Sequence, residues 1–347
     1  MSIKRLGARS TNQDRLAELR DQGCESDVLL SRLALVEDEG MRKDLAKLKG
    51  KSRVYPELLP TQASLRWSTK NPNLPGFKRE FWTEHSGIIR PDLGEWWAEW
   101  DWSGIEARMF TGYSGDEEDV ALFKADKDIH LFTCAKYLFA WAPNLSVDSP
   151  LDGYNLPTDW QGKEDERRVR AKNFRYGVLQ YGTDERAILG MPGIEKLGLD
   201  RDTLLRQAKR FLEARPKAQA WKAQVWAACI ARPSVARTFM GHRRLLFGDE
   251  DTRKKEGLNH MIQGSVANLM AWNLIKISQA YPESSLILNK HDGATIAFPY
   301  AERASERSSV CERTMATIRA WVEQEWEVGQ EVRMRFPATW KVTHGHE

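Results

Sequence analysis

The sequence predicts an α/β chain of the α+β kind, in which short β-runs carrying two aspartates flank a long, mainly helical stretch that carries cations. Three observations predict it. The segment EWWAEWD at 95–101 reads as a strand of bulky aromatic residues ending on Asp101, and a helix is expected from Ser103 through SGIEARMF. RVRAKNFRYGVLQYG at 168–182 reads as a basic helix. SSLILNK and GATIAF are apolar, β-branched runs on either side of His291 and Asp292, which predicts a hairpin with Asp-Gly at its tip. At 347 residues the chain is long enough to bury a large core and fits two or three subdomains around one site.

In chain order, the first fifty residues are charged and helix-prone, with Gly40 and Gly50 as stops, and read as a small helical appendage. Residues 56–90 are rich in Pro, Ser, Thr and Asn, and TQASLRWSTKNPNLPGF with its NPN turn signal reads as an ordered loop region. Helix continues through Phe123 and DIHLFTCAKYLFAW, followed by a Pro, Asp and Gly-rich insertion at 143–163 expected to be an exposed loop. Further helices are expected over 164–180, over 201–230 with an interruption near Pro216, and over 257–280 with Gln263, Gly264 and Ser265 in the early turns.

Composition excludes several classes. The 52 basic and 49 acidic residues leave a formal net charge of only +3, so contact with nucleic acid has to come from local clusters. Two stand out: Arg53, Arg66, Lys70, Lys78 and Arg79, and the run from Arg232 and Arg237 through Arg243, Arg244, Arg253, Lys254 and Lys255. Cys24, Cys134, Cys229 and Cys311 lack paired metal-ligand spacing, which argues against a zinc site or a disulfide framework and fits a reducing cytoplasm. No stretch approaches the ~20 apolar residues that span a bilayer, and the N-terminus lacks a signal-peptide core, so no membrane partner is expected. No phosphate loop or dinucleotide-binding glycine fingerprint occurs, so a bound nucleotide would have to be held by side chains and metals.

Two carboxylates at strand ends, Asp101 and Asp292, separated by a cationic helix, form the layout that a metal-bridged triphosphate requires. Asp-Gly alone would be an ordinary turn; the second carboxylate gives it weight. Arg168, Lys172 and Tyr176 are spaced by four and so share one helix face, offering two cations and a planar ring. Point-charge donors and a stacking group suit a polyanionic nucleotide.

These segments resemble motifs A, B and C of the family A DNA polymerases, over roughly residues 55–340. DWSGIEAR is similar to the family's Asp-Tyr-Ser-Gln-Ile-Glu-x-Arg; the resemblance implies that Asp101 and the backbone carbonyl of Trp102 are metal ligands and that Glu106 is the steric gate against a ribose 2′-hydroxyl. His130 of DIH matches a histidine that contacts the incoming triphosphate. In motif B, Arg168 and Lys172 fall on the phosphate-binding cations, with Lys172 also the candidate general acid. Tyr176 falls on the ring that stacks on the nucleotide, and as Tyr rather than Phe it implies acceptance of dideoxynucleotides. Tyr181 and Gly182 match the terminal Tyr-Gly pair, with Gln180 as one additional residue before them. In motif C, His291 and Asp292 match, whereas the family's following glutamate is Gly293. Two further segments, TQASLRWSTKNPNL and LNHMIQGSVANLM, resemble family segments that place Arg66, Asn259 and Gln263 at DNA.

The resemblance implies a right-hand core with an antiparallel-sheet palm, helical fingers and a reduced thumb: a thumb or appendage at 1–55, palm at 56–110, fingers at 111–255 and palm again at 256–347. It implies DNA-directed DNA synthesis without proofreading, using two Mg²⁺ ions or Mn²⁺, primer–template DNA and dNTPs. Only about sixty residues precede Arg66, so a processivity partner that supplies the missing thumb is expected, in a bacterial cytoplasm or that of a phage host. The motifs leave open an RNA- or primer-synthesising enzyme, which Glu106 disfavours, a reverse transcriptase, and a catalytically silent nucleic-acid-binding protein.

Overall fold

The computed structural model describes residues 46, 57–59, 65–70, 74, 90–182, 185–190, 198–290, 292–329 and 332–345. Apart from Ala46, the expected N-terminal appendage lies outside the described residues, and so does His291.

The site is positioned by a four-stranded antiparallel sheet of order β10-β3-β7-β6. It is formed by β3 (Glu95–Trp102), β6 (Ser285–Asn289), β7 (Gly293–Pro299) and β10 (Ala338–His344). Two short strands precede it, β1 (Glu57–Leu59) and β2 (Ser68–Lys70). Alternation along β3 sends Trp96, Trp100 and Trp102 to one face, each about 1 % exposed, and Glu99 and Asp101 to the other. The tryptophan face is covered by the helix Arg307–Val322, whose Val322 carbonyl accepts from Trp102 Nε1 at 3.1 Å. Trp340 of β10 packs on Trp100 with ring centroids 5.7 Å apart. Burying each such ring removes about 150–250 Å² from water, roughly 4–6 kcal/mol before the entropy of ordering it is subtracted.

Between β3 and β6 lies a helical body. Its helices are α1 (Ile105–Ser114), α2 (Glu117–Lys124), α3 (Ile129–Thr133), α4 (Glu166–Phe174), α5 (Arg201–Glu213), α6 (Pro216–Ile230), α7 (Glu250–Asn259) and α8 (Ser265–Ala280); Arg307–Val322 is α9. A small hairpin of β4 (Val235–Arg237) and β5 (Arg243–Leu245) follows α6, and β8 (Glu325–Gly329) pairs with β9 (Val332–Arg335) after α9. Trp221 of α6 locks onto α1, stacking on Tyr113 at 5.4 Å and meeting Phe110 edge-on at 5.3 Å.

Helix boundaries differ from the sequence expectation where a backbone constraint intervenes. The helix after Asp101 begins at Ile105, because Gly104 turns the chain through left-handed φ 62 and Ser103 N–H is taken by Pro337 O at 2.9 Å. The 201–230 stretch is two helices, with Pro216 as the first residue of the second, where its missing N–H costs nothing. The helix expected from Gly257 starts seven residues earlier, because the Asp249 carboxylate caps Thr252 N–H at 2.8 Å. The 143–163 insertion is not a loop lying wholly on the surface: Leu145 and Tyr154 are buried, and Tyr154 packs edge-on to Phe132.

Three helices loosen into π-helical turns, at Cys134–Leu138 after α3, Arg175–Gln180 after α4 and His260–Gly264 between α7 and α8. A buried charge cluster ties the first two together. Asp119 of α2 accepts from Arg175 and, at 3.3 Å, from Arg215, while Glu118 accepts from Arg215 at 2.9 Å and from the Tyr137 hydroxyl at 2.7 Å. Arg215 is sandwiched over Phe211 and Tyr137. Against desolvation, the two guanidiniums hold the Asp119 carboxyl below the usual range, whereas burial and the Asp119 charge push Asp116 up to about 6.

Asp119→Ala would take from the buried Arg175 the carboxylate it is paired with and leave Arg215 with Glu118 alone. Loss of one partner from such a group costs about 3–5 kcal/mol, so the urea midpoint of Asp119→Ala is expected to fall sharply with an unchanged slope; an unfolding free energy within about 1 kcal/mol of the parent, from the linear extrapolation, would refute a structural role.

Candidate active site

The two aspartates come together because of strand register. Asp101, the penultimate residue of β3, sits opposite Gly293 of β7, and Trp102 N–H donates to Asp292 O at 2.7 Å. The hairpin turn is closed by Lys290 N–H donating to Gly293 O at 2.8 Å. Partial enclosure, and then the like charge of Asp292, raise the Asp101 carboxyl to about 6; Lys290 and Lys172 oppose the rise. Glu99 lies on the same side of β3 and pairs with Lys290 at 3.0 Å. The strands are close enough that a Cβ at Gly293 would meet the Trp100 carbonyl oxygen at 2.2 Å, so this backbone has no room for the family's glutamate.

Two neighbouring carboxylates, with Asp101 raised in proton affinity by enclosure and by the charge of Asp292, fit divalent cations, with the Trp102 carbonyl one residue away as a further oxygen. Among the described residues no group of three or more His, Cys, Asp or Glu side chains forms a metal cluster. The Trp102 side chain itself is core, not a surface for DNA or metal. Trp67 lies beside Arg66 in a small pocket against Ala267, Met270 and Ala271 of α8.

A second group of predicted residues converges on Glu106, in the first turn of α1. Arg66 forms an ion pair with it, and the Tyr181 hydroxyl donates to its other oxygen at 3.5 Å. Burial and the Glu106 charge raise both the Tyr176 and the Tyr181 phenols, and a contact from Gln263 acts on Tyr181. Arg66 is therefore engaged by a protein carboxylate, and reaching a DNA groove requires sharing or opening that pair. Asn259 ends α7, half-buried, one turn before Gln263 in the π-helical turn.

The cationic face is assembled on α4. Lys172 Nζ lies 5.9 Å from the Tyr176 ring centre and has no ion-pair partner among the described residues. Arg168 does have one: its Nε donates to Asp128 at 2.7 Å, and the same Asp128 carboxylate caps α3 through His130 and Leu131 N–H. His130 is buried with its ring 5.9 Å from Tyr176. Burial and the neighbouring Arg175 push its pKa down to about 3, so the imidazole is neutral at pH 7.

The additional residue Gln180 finds its explanation in the π-helical turn. Tyr181 N–H donates to Tyr176 O, five residues back, at 2.9 Å, so the extra residue is absorbed as a bulge and Tyr181 still reaches Glu106. Sequence reasoning missed Lys222, whose Nζ donates at 2.7 Å to both Leu179 O and Gly182 O; its only sequence signal is a lysine on a helix face shared with Trp221, Val225 and Cys229.

The sequence profile described as DNA polymerase family A matches residues 2–342, nearly the whole chain. The chain belongs to family A of the DNA polymerases. This family A chain is 28 % identical over 225 residues to a thermostable DNA polymerase I of Thermus thermophilus, covering 62 % of the chain and 24 % of that relative. It is 25 % identical over 282 residues to DNA polymerase I of Aquifex aeolicus, covering 79 % of the chain and 44 % of that relative. The chain thus spans less than half the length of these curated relatives. The fold is shared with the POL domain of Pol1 from M. smegmatis, solved in complex with DNA primer-template and dNTP, at a TM-score of 0.68 and 20 % identity over 95 % of this chain and 55 % of that one.

The raised Asp101 pKa fixes a pH response. The folded state holds a proton that the unfolded chain has already lost between about pH 4 and 6, so this group's contribution to stability falls as pH rises through that window. A cation binding the ionised pair reverses the loss, and the rise in Tm on adding Mg²⁺ in place of EDTA is expected to be larger at pH 7.5 than at pH 5. Equal shifts at both pH values would count against a metal at Asp101 and Asp292.

Proposed function

We propose that this chain is a DNA-directed DNA polymerase that adds dNTPs to a primer 3′ end by phosphoryl transfer. The observation that carries the reading is the meeting of Asp101 and Asp292 at one end of the sheet, with Lys172, Tyr176 and the Glu106–Tyr181 pair gathered beside them. In this reading residues 56–110 and 256–347 supply the palm and 111–255 the fingers. That the M. smegmatis POL domain binds primer-template and dNTP in the same fold supports it.

Asp101, Asp292 and the Trp102 carbonyl would hold Mg²⁺, which supplies charge neutralisation at the phosphates and a lowered pKa for the primer hydroxyl. Lys172 then places its ammonium on the polyphosphate, where it balances charge that grows as the leaving group departs and can return a proton to it. Arg168, shared with Asp128, adds a second cation on the same face, and the neutral His130 offers a hydrogen bond there without adding charge. Tyr176 gives the base a ring to stack on, and Glu106, held by Arg66 and Tyr181, fills the space a ribose 2′-hydroxyl would need.

The test is extension of a labelled primer–template in Mg²⁺ with dNTPs or rNTPs. The wild-type chain is expected to use dNTPs; Asp292→Ala should lose several orders of magnitude in turnover, and Lys172→Ala about 10²–10³ in kcat, the usual scale for one transition-state donor. Glu106→Ala should admit rNTPs, and Tyr176→Phe should lower the use of dideoxynucleotides. Extension that survives Asp292→Ala, or equal use of rNTPs by the wild type, would overturn the reading.

A further inference from the structure

We propose that Lys222 is a positioning residue for the ribose gate: through the end of the π-helical turn that follows α4 it sets where Tyr181 stands against Glu106. The inference rests on the polymerase reading and concerns a residue that none of the motifs contains.

Lys222 lies in the middle of α6, is only 4 % exposed, and sits between α6 and the end of the π-helical turn. Its Nζ donates to the carbonyls of Leu179 and Gly182, both at 2.7 Å. Those two carbonyls bracket Gln180 and Tyr181. The carbonyls at a helix end lack intrahelical donors and carry the negative end of the helix dipole, so an ammonium is the natural group to hold them. Desolvation alone acts on this lysine, pushing it down to about 8, with no carboxylate contributing. Its neighbours Trp221, Val225 and Cys229 are buried apolar residues, and its Nζ also lies 5.1 Å from the Trp226 ring centre. What the ammonium adds is a tether on both sides of Tyr181.

The tether matters because the segment needs one. A π-helical turn has a wider, less regular hydrogen-bond path than an α-helix, and the extra residue gives the chain leaving it a choice of register. Tyr181 N–H bonded to Tyr176 O fixes the start of that exit, and Lys222 fixes the carbonyls on either side. The Tyr181 hydroxyl then reaches Glu106 at 3.5 Å, and Arg66 holds the other oxygen of the same carboxylate. Loosening the 179–182 segment moves the phenol, frees one side of Glu106, and opens the space below the sugar.

Lys222→Met keeps the length and apolar stem of the side chain and removes both donors. The measurement is the ratio of kcat/KM for dNTP over rNTP, with primer–template Kd and Tm recorded beside it. The ratio is expected to drop about tenfold or more, because small misplacement in a gate costs that much, while primer–template Kd stays at the wild-type value. Lys222→Arg, which keeps donors for the two carbonyls, is expected to recover part of the ratio. A folded Lys222→Met chain with the wild-type ratio overturns the proposal, as does an equal loss of kcat/KM for both nucleotides. Should Lys222→Met fail to fold, Lys222→Gln decides: its amide is too short to hold both carbonyls, so a lowered ratio supports the positioning role and an unchanged ratio overturns it. Wild-type protein that extends no primer with dNTPs overturns the polymerase reading and this inference together, whereas dNTP extension with an unmoved ratio overturns this inference alone.

Discussion

Two carboxylates repel, and everything in the site depends on the pairing of β3 with β7 that keeps Asp101 and Asp292 together in spite of it. The hydrogen bond from Trp102 N–H to Asp292 O joins the backbones at the point of greatest repulsion. The sheet can bear this because the opposite face of β3 is a wall of buried tryptophans fixed on α9, so the strand cannot rotate to separate the charges without exposing those rings. A one-residue slip in register would turn Asp101 inward and Trp102 outward, and no intermediate register exists. Enclosure first, and the repulsion after it, raise the proton affinity of Asp101, an electrostatic preparation for a cation.

The helical side of the cleft is ordered by buried ions. Asp119, Arg175 and Arg215 come from α2, the turn after α4, and the residue before α6, and their mutual satisfaction fixes three helices at once. Because Arg175 is the first residue of the π-helical turn, this cluster also anchors the point where the cationic helix changes pitch. Lys172 and Tyr176 stand on either side of that anchor in the chain, 5.9 Å apart from ammonium to ring centre, while Asp128 restrains Arg168 from the start of α3. The cations are thus mounted on a scaffold with its own charge balance.

Legibility in the sequence followed how local each constraint is. The strand at 95–102 and the hairpin at 285–299 were readable because aromatic and β-branched runs with a turn between them carry their own pattern, and with them came the meeting of Asp101 and Asp292. The face of Arg168, Lys172 and Tyr176 was readable from spacing by four. What escaped was set by contacts between distant positions. The partnership of Asp119 with Arg175 and Arg215 spans 56 and 96 residues; the grip of Lys222 on Leu179 and Gly182 spans 43 and 40. Neither leaves a periodic trace. The start of α1 was misplaced because a left-handed glycine at 104 overrode a serine that looks like a cap, and the insertion at 143–163 buries Leu145 and Tyr154 although its apolar residues are scattered among turn formers without a period.

Gly293 commits the sheet to a spacing that no side chain can enter. With no side chain at that position, the Trp100 carbonyl and the Asp101 backbone have closed to within a distance that even a methyl group could not share. With the strands at this spacing, placing a carboxylate there is not a matter of one substitution, since the first atom of its side chain collides with main-chain atoms that cannot swing aside. The sheet would have to be prised open first, at the spot where it holds the two aspartates in register. Anyone introducing a carboxylate at 293 must rebuild the strand pair before changing the residue.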